Sequence, residues 1–446
     1  MADGQVTCEG LRVAIGFPSA VMLVMGGMVG VGVFVNPAVV ARSLHSPGLV
    51  LAAWVLGGVV ALLGAFVYAE LAARMPQTGG EYVYLRETYG PLVGFLFGWT
   101  TLLVVQAGGM AAVAIVFAKN LAVLGVGAPQ GVIVVAVLAA LAAINCLGVK
   151  TGNGLQGWLG LLKVAAIAAL VVTGLFLLPA SHQASPKPVA AAPLDFLKSF
   201  GAAMIPVVFS YGGWQTSNYV AGEVKDAGRN LSRALVVGVS GVIVLYLSVT
   251  LACLRALGVT ALAATLTPAS DVLRLAAGPL GAQLAAGAIA LSAVAFLSQS
   301  TLTGPRVYFA MARDGLFFRK VADISEGARV PAIAIVLQAA WTCLLALSGS
   351  YEQILSYVIA TNFLFFGLSA ACLFILRRRG VAHIGFRAPW HPLTTGLFIL
   401  ACVLVVASSF WAYPVNSLIG YALMAAGIPP YLLWRRRVAA VISAGA

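Results

Sequence analysis

Long apolar stretches alternate with short polar interruptions along the whole chain. Breaking it at charges and at Pro/Gly/Ser clusters leaves segments near 15–43, 48–72, 91–118, 129–147, 155–178, 198–221, 234–256, 279–304, 331–348, 353–376, 393–410 and 415–434. A helix needs about 20 mostly apolar residues to cross a bilayer core of roughly 30 Å. The pattern therefore predicts an all-α polytopic membrane protein with twelve transmembrane helices. A Pro/Ala-rich tract at 179–197 reads as an extended outer loop. It separates five spans over 15–178 from five over 198–376, with helices 11 and 12 over 377–434 and polar tails at 1–14 and 435–446. No interruption is long enough for a soluble domain.

Two of these segments break their own helical pattern. The first, SAVMLVMGGMVGVGVFVNPAVVA, places Gly26, Gly27, Gly30 and Gly32 near its middle and follows them with Asn36 and Pro37. The sixth, FGAAMIPVVFSYGGWQTSNYVAGE, carries Pro206 and then Ser210, Tyr211, Gly212, Gly213 and Gln215 at its centre. Taken singly, either set of glycines reads equally well as close helix packing. Together they open the two five-span halves, and a matched pair of interrupted helices points to a transporter built from inverted repeats, with its site at mid-membrane. Unwound backbone at that depth is tolerated where it lines a cavity. The half-helix after a break presents free N–H groups and a positive dipole end to a carboxylate, and the half-helix before it presents carbonyls to an ammonium group. An α-amino acid carries both.

Composition narrows the class. Of 446 residues, 61% are hydrophobic and 9% charged, against roughly 25% charged in soluble domains. The mean hydropathy is +1.01. A net charge of +13 could suggest nucleic acid in another setting, but here the basic residues sit between apolar runs. With both termini cytoplasmic, most of the 26 lysines and arginines fall on the inner side, as the positive-inside rule requires. Residues 1–12, with Asp3, Glu9 and a single Arg12, do not read as a cleavable leader. Six scattered cysteines and four scattered histidines suggest no disulfide framework, no metal site and no cofactor. The same scatter argues against a membrane enzyme, and the spans offer no polar path or ring of charge for a channel.

At the broken helices the chain resembles a known family. GVGVFVNP (30–37) is similar to the GSGIF-type signature of the amino acid–polyamine–organocation superfamily, and FSYGGWQTSNYVAGEVKDAGRNLSRAL (209–235) to the sixth-helix signature of its L-amino-acid transporter branch. Further blocks match at 68–90, 306–315, 351–368 and 386–393, so the likeness runs from about residue 14 to about residue 435. The resemblance implies a LeuT-type five-plus-five inverted repeat with two extra helices and sodium-independent, alternating-access transport of amino acids across the cell membrane. By position, it implies that the backbone of Val29, Gly30, Val31, Gly32 and Val33 holds the substrate carboxylate. Phe209, Ser210, Tyr211 and Gly212 would hold the ammonium, with Tyr211 and Trp214 as an aromatic gate and Gln215 as a polar contact. Val31 departs from the usual Ser or Thr, which removes a hydroxyl from the pocket. The loop at 119–128 has no cysteine, so no disulfide-linked companion subunit is expected.

Lys163 stands about nine residues into the fifth span, roughly 13 Å deep at 1.5 Å per residue. An unpaired ammonium there costs at least ~2.5–3.5 kcal/mol, which argues for a role. The resemblance implies that it replaces a sodium ion by bridging carbonyls near Gly26 to hydroxyls on the eighth helix, with Ser298, Ser300 and Thr301 as candidates. A fixed tether and a proton carrier are both open to it. Glu70 reads as a solvated or capping carboxylate, Gln106 as a packing contact, the 223–233 loop as a source of salt bridges that latch a gate, and Arg377, Arg378 and Arg379 as topology anchors with some attraction for anionic lipid. No acidic residue falls centrally in spans one, three, six, eight or ten. A cationic substrate would want one, so the expected cargo is a neutral L-amino acid, carried by exchange or by proton symport.

Overall fold

The computed structural model describes residues 10–181, 193–348, 351–381, 385–412 and 414–435. In chain order its α-helices are α1 (Phe17–Met28), α2 (Gly32–Leu44), α3 (Pro47–Arg74), α4 (Glu81–Tyr89), α5 (Pro91–Thr100), α6 (Gln106–Val123), α7 (Gln130–Cys146), α8 (Val149–Val172), α9 (Pro193–Ser210), α10 (Ala227–Ala264), α11 (Pro268–Thr303), α12 (Pro305–Arg313), α13 (Ala332–Ser348), α14 (Tyr351–Arg378), α15 (Leu393–Ala412) and α16 (Pro414–Ala425). Proline stands in the first turn of α1, α3, α5, α11 and α12, where its missing N–H is not needed and its fixed φ suits a helix start.

Among the described residues, eight helices are long and apolar enough to cross a bilayer, and nine if the bent pair α1–α2 is one span. A π-helical stretch, Thr101–Val105, fuses α5 and α6 into one span over Pro91–Val123. The apolar helices α7 and α13 are shorter, at 17 residues each. Large apolar side chains such as Trp158, Phe176 and Leu284 are exposed, as on a surface that faces lipid rather than water. The protein is an integral membrane protein.

The expected outer loop at 179–197 is shorter than the composition suggested. α9 begins at Pro193, where a proline and then Asp195 in the first turn favour a helix start. Residues 182–192 of that tract lie outside the described residues, as do 1–9 and 436–446 of the two tails.

The interior is organised around two long helices. α10 packs on α3, α1 and α2, while α11 packs on α6 and α8. α14 packs on α15, α16 and α6. Between these groups the two interrupted helices face each other. α1 and α2 meet at 42° across Val29–Val31. α9 ends at Ser210, the chain turns through Tyr211–Gly213, and a 3-10 helical segment runs over Trp214–Glu223.

Candidate functional site

The two breaks touch through glycines. A Cβ on Gly213 would lie 2.1 Å from the Gly27 carbonyl oxygen, and one on Gly27 would lie 2.5 Å from the Gly213 oxygen. Gly213 also has φ +100, a conformation L side chains rarely adopt. Asn36, on α2, donates from Nδ2 to Pro206 O at 3.1 Å and to Ser210 Oγ at 2.7 Å, tying the second half of one broken helix to the first half of the other.

Beside this crossing lies a cavity of about 100 Å³, lined from both breaks, α6, α11 and the middle of α14. Its wall includes Gly30, Val31, Phe209, Gln215, Phe296 and Asn362, and among the described residues none that lines it is charged. Gly30 has room on this side, since a Cβ there would meet only Phe296 at 3.7 Å.

At the first break, side chains from distant helices satisfy the exposed carbonyls. Lys163 Nζ, buried on α8, donates to Gly26 O at 3.2 Å and to Val29 O. Ser292 Oγ, on α11, donates to Gly30 O at 3.1 Å and to Val29 O at 3.3 Å. Tyr246 Oη, on α10, meets Met28 O at 2.8 Å and Ser210 O at 3.1 Å, so one hydroxyl spans both breaks. The amides of Val31, Gly32 and Val33 donate to no backbone carbonyl among the described residues, as expected at the start of α2. These are donors suited to a carboxylate.

The second break is held mostly by its own neighbours. Gly212 N–H donates to Phe209 O at 3.0 Å, Gly213 N–H to Gln215 Oε1 at 3.0 Å, and Thr216 Oγ1 to Gly213 O at 2.7 Å. The carbonyls of Tyr211 and Gly212 accept nothing among the described residues, which leaves acceptors for an ammonium group.

The predicted site residues thus divide. Gly30, Val31, Gly32, Phe209, Ser210, Gly212 and Gln215 line the cavity, whereas Val29 and Val33, expected to hold the carboxylate with them, do not. The side chains of Tyr211 and Trp214 do not line it. They border a much smaller pocket with Phe363, Phe366 and Phe398. Tyr211 packs on Trp54 and Tyr246, and Trp214 on Tyr68 and Phe366. Residues two apart on a helix end point in nearly opposite directions, so Phe209 facing the cavity turns Tyr211 away. The aromatic wall is Phe209, Phe296 and Phe363.

Lys163 finds the carbonyl near Gly26, but none of the three nominated hydroxyls meets it. Ser300 approaches Gln299 at 3.5 Å, Thr301 donates to Leu297 O, and Ser298 Oγ has no partner among the described residues. Ser292 reaches the carbonyls instead because it lies almost two helical turns nearer the depth of the break. Ser292 and Tyr246 were missed. The signal for each was a hydroxyl inside an otherwise apolar run.

Away from the cavity, on the side of the N-terminal segment, a layer of buried polar contacts closes the bundle. Arg306 and Glu223 are both fully buried and paired through two hydrogen bonds, at 2.7 and 3.1 Å. Ala14 and Ile15 donate their amides to Glu223 O. Glu70 is not solvated, as its place near a helix end suggested. It is buried between Arg74, Arg377 and the Ala388 amide because it faces α14 and the chain beyond it. Arg377 is accordingly an internal partner as well as a basic residue near a membrane edge. Gln106 does join helices, donating to Ser300 O at 3.4 Å, and it also lines the cavity.

Comparison with known proteins adds to this geometry. A profile of the amino acid permease family matches residues 15–433. The serine/threonine exchanger SteT of Bacillus subtilis is 30% identical over 442 residues, covering 97% of this chain and 99% of its own. The large neutral amino acids transporter small subunit 2 of Homo sapiens is 28% identical, covering 95% of this chain and 80% of its own. The b(0,+)-type amino acid transporter 1 of Mus musculus is 26% identical, covering 91% and 83%.

Proposed function

The chain belongs to the amino acid permease family of the amino acid–polyamine–organocation superfamily, close to its L-amino-acid transporter branch, and from that premise we propose that it carries neutral L-amino acids across the cell membrane by sodium-independent alternating access, as an exchanger. One observation carries the reading. Among the described residues the cavity wall carries no charge, yet it sits between unpaired amides at one break and unpaired carbonyls at the other. Such a site recognises the zwitterionic backbone of an amino acid, and it offers no carboxylate to neutralise a cationic side chain.

In this reading the first break, Val29–Val33, takes the carboxylate, and the carbonyls from Phe209 to Gly212 take the ammonium. Gln215 and Asn362 meet what lies beyond, and Phe209 closes over it. Lys163 replaces a bound cation, holding α8 to the first break through Gly26 and Val29. The helices at all twelve expected places serve as spans in a five-plus-five repeat with two added helices, both tails are cytoplasmic, and the Arg306–Glu223 layer is the cytoplasmic gate in its closed position.

The exchanger named among the relatives favours exchange. A proton-coupled symport through Lys163 is the second reading, favoured by an ammonium that meets only carbonyls among the described residues. The test is uptake of labelled neutral amino acids into sodium-free proteoliposomes, with and without internal amino acid and with an imposed proton gradient. Uptake that requires internal substrate supports exchange, accumulation driven by protons into empty vesicles supports symport, and no uptake in any condition sinks the carrier reading.

A further inference from the structure

Among the described residues, one buried carboxyl in the closing layer pairs with no cation. Glu81 opens α4 directly after Gly79 (φ +107) and Gly80 (φ +51), a turn that sends its side chain inward, where it is fully buried. Three other elements converge on it. Tyr68 Oη from α3 donates to Oε1 at 2.5 Å, Ser369 Oγ from α14 to Oε1 at 3.3 Å, and Tyr219 Oη from the Trp214–Glu223 segment to Oε2 at 3.1 Å. Among the described residues, the hydroxyls of Tyr84 and Tyr308 are buried without partners, as are the Thr78 hydroxyl and the Asn218 amide in the segments flanking this turn.

The charged groups around α4 are committed elsewhere. On α12, Arg306 holds Glu223 and Arg313 lies over Phe309. Arg86, on α4, pairs with Asp314 and Glu87, and Tyr82 donates to Asp314. Arg74 of α3 and Arg377 of α14 hold Glu70. Arg379 donates to the Glu87 and Thr88 carbonyls. α5 carries no titratable side chain, and the remaining titratable neighbours are Cys372 on α14 and Cys402 on α15.

A buried carboxylate with only hydroxyl partners is costly, whereas the neutral acid is not. Hydroxyls donate to the ionised form and accept from the protonated one, so this cage serves both. Tyr219 sits on the segment that begins at Gly213 and ends at Glu223, between the cavity and the face it is closed from. An opening of the cavity toward that face that moves this segment would let water reach Glu81.

On the carrier reading above, we propose that Glu81 is a proton-binding site that governs the cytoplasmic gate, holding a proton while Tyr68, Tyr219 and Ser369 enclose it and returning that proton to the cytoplasm when the gate opens. Burial pushes the Glu81 carboxyl up to about 7, against the lowering pull of its bonds from Tyr68, Tyr219 and Ser369. Once hydrated it falls back toward its ordinary value of about 4.3. The closed gate therefore binds the proton more tightly. Its advantage is full at low pH and is lost as pH rises through about 7.

The experiment is amino acid exchange in proteoliposomes with the same pH on both sides, so that no gradient drives flux. If gate opening limits exchange, the wild-type rate rises about tenfold between pH 6 and pH 8, tracking the ionised fraction of a group near 7. Glu81→Gln, fixed in the neutral form, gives a slow rate that is flat with pH. Tyr219→Phe removes one donor to the carboxylate and moves the midpoint upward, and it decides the matter if Glu81→Gln fails to reach the membrane. A wild-type profile retained in Glu81→Gln, or a midpoint unmoved in Tyr219→Phe, overturns the proposal while leaving the carrier intact. Absence of exchange in the wild type at every pH counts against the carrier itself.

Discussion

The two broken helices reach the same end by different means. At the first, the carbonyls of Gly26, Met28, Val29 and Gly30 are held by Lys163, Tyr246 and Ser292 from three other helices. At the second, Gln215, Thr216 and Phe209 hold the turn from within a few residues. The first break is thus a junction whose shape depends on where α8, α10 and α11 stand, and the second is mostly locally built, tied to other helices through Tyr246 and Asn36. A carrier that must change shape around its cargo gains from this asymmetry. One half of the site senses the bundle, while the other keeps its geometry as it moves.

The largest expected effect is at the contact common to both. Gly213→Val places a Cβ 2.1 Å from Gly27 O at a residue with φ +100. Strain and overlap together cost ~3 kcal/mol or more, and exchange per molecule should fall about a hundredfold or more at matched membrane levels. Lys163→Met comes next. It removes two charge-assisted bonds worth ~1.5–3 kcal/mol each, so even at the lower figure exchange should drop by about two orders of magnitude, and near-normal exchange would break the picture of a remotely held first break. Tyr246→Phe keeps the ring and loses the hydroxyl shared by the two breaks, a change of about 1–2 kcal/mol, seen as a rise in substrate KM of about fivefold to thirtyfold. The smallest effect belongs to Gly30→Ala, whose added methyl meets only Phe296 at 3.7 Å. Small substrates should be carried within about threefold of wild type, because the methyl enters at ordinary van der Waals distance, while bulkier ones lose ground in a competition assay.

What could be read from the chain follows the same division. Local features were legible, because glycine clusters and a proline mark both interruptions and Lys163 betrays its depth by its place in an apolar run. Features set by rotation or by distant partners were not. Apolar periodicity cannot tell which of several hydroxyls on α11 stands level with Val29, and so Ser292 was passed over for Ser298, Ser300 and Thr301. Nor does it say that Tyr211 turns toward α3 while Phe209 faces the cavity. Glu70 looked solvated because its partner Arg377 lies 307 residues away, and Tyr246 gave no hint that it would reach two backbones at once. Side chains that bridge helices belong to the assembled bundle, and no window along the chain contains them.

The uncharged lining of the cavity has an electrical consequence. A zwitterion crossing in a cavity without charged walls carries no net charge, and a proton taken up by Glu81 from the cytoplasm returns to the cytoplasm. A membrane potential does work only on charge that moves across it, about 2.3 kcal/mol per elementary charge per 100 mV. In the proposed exchange of neutral amino acids the voltage has nothing to pull on, so amino acid gradients, and not the membrane's polarisation, set its direction.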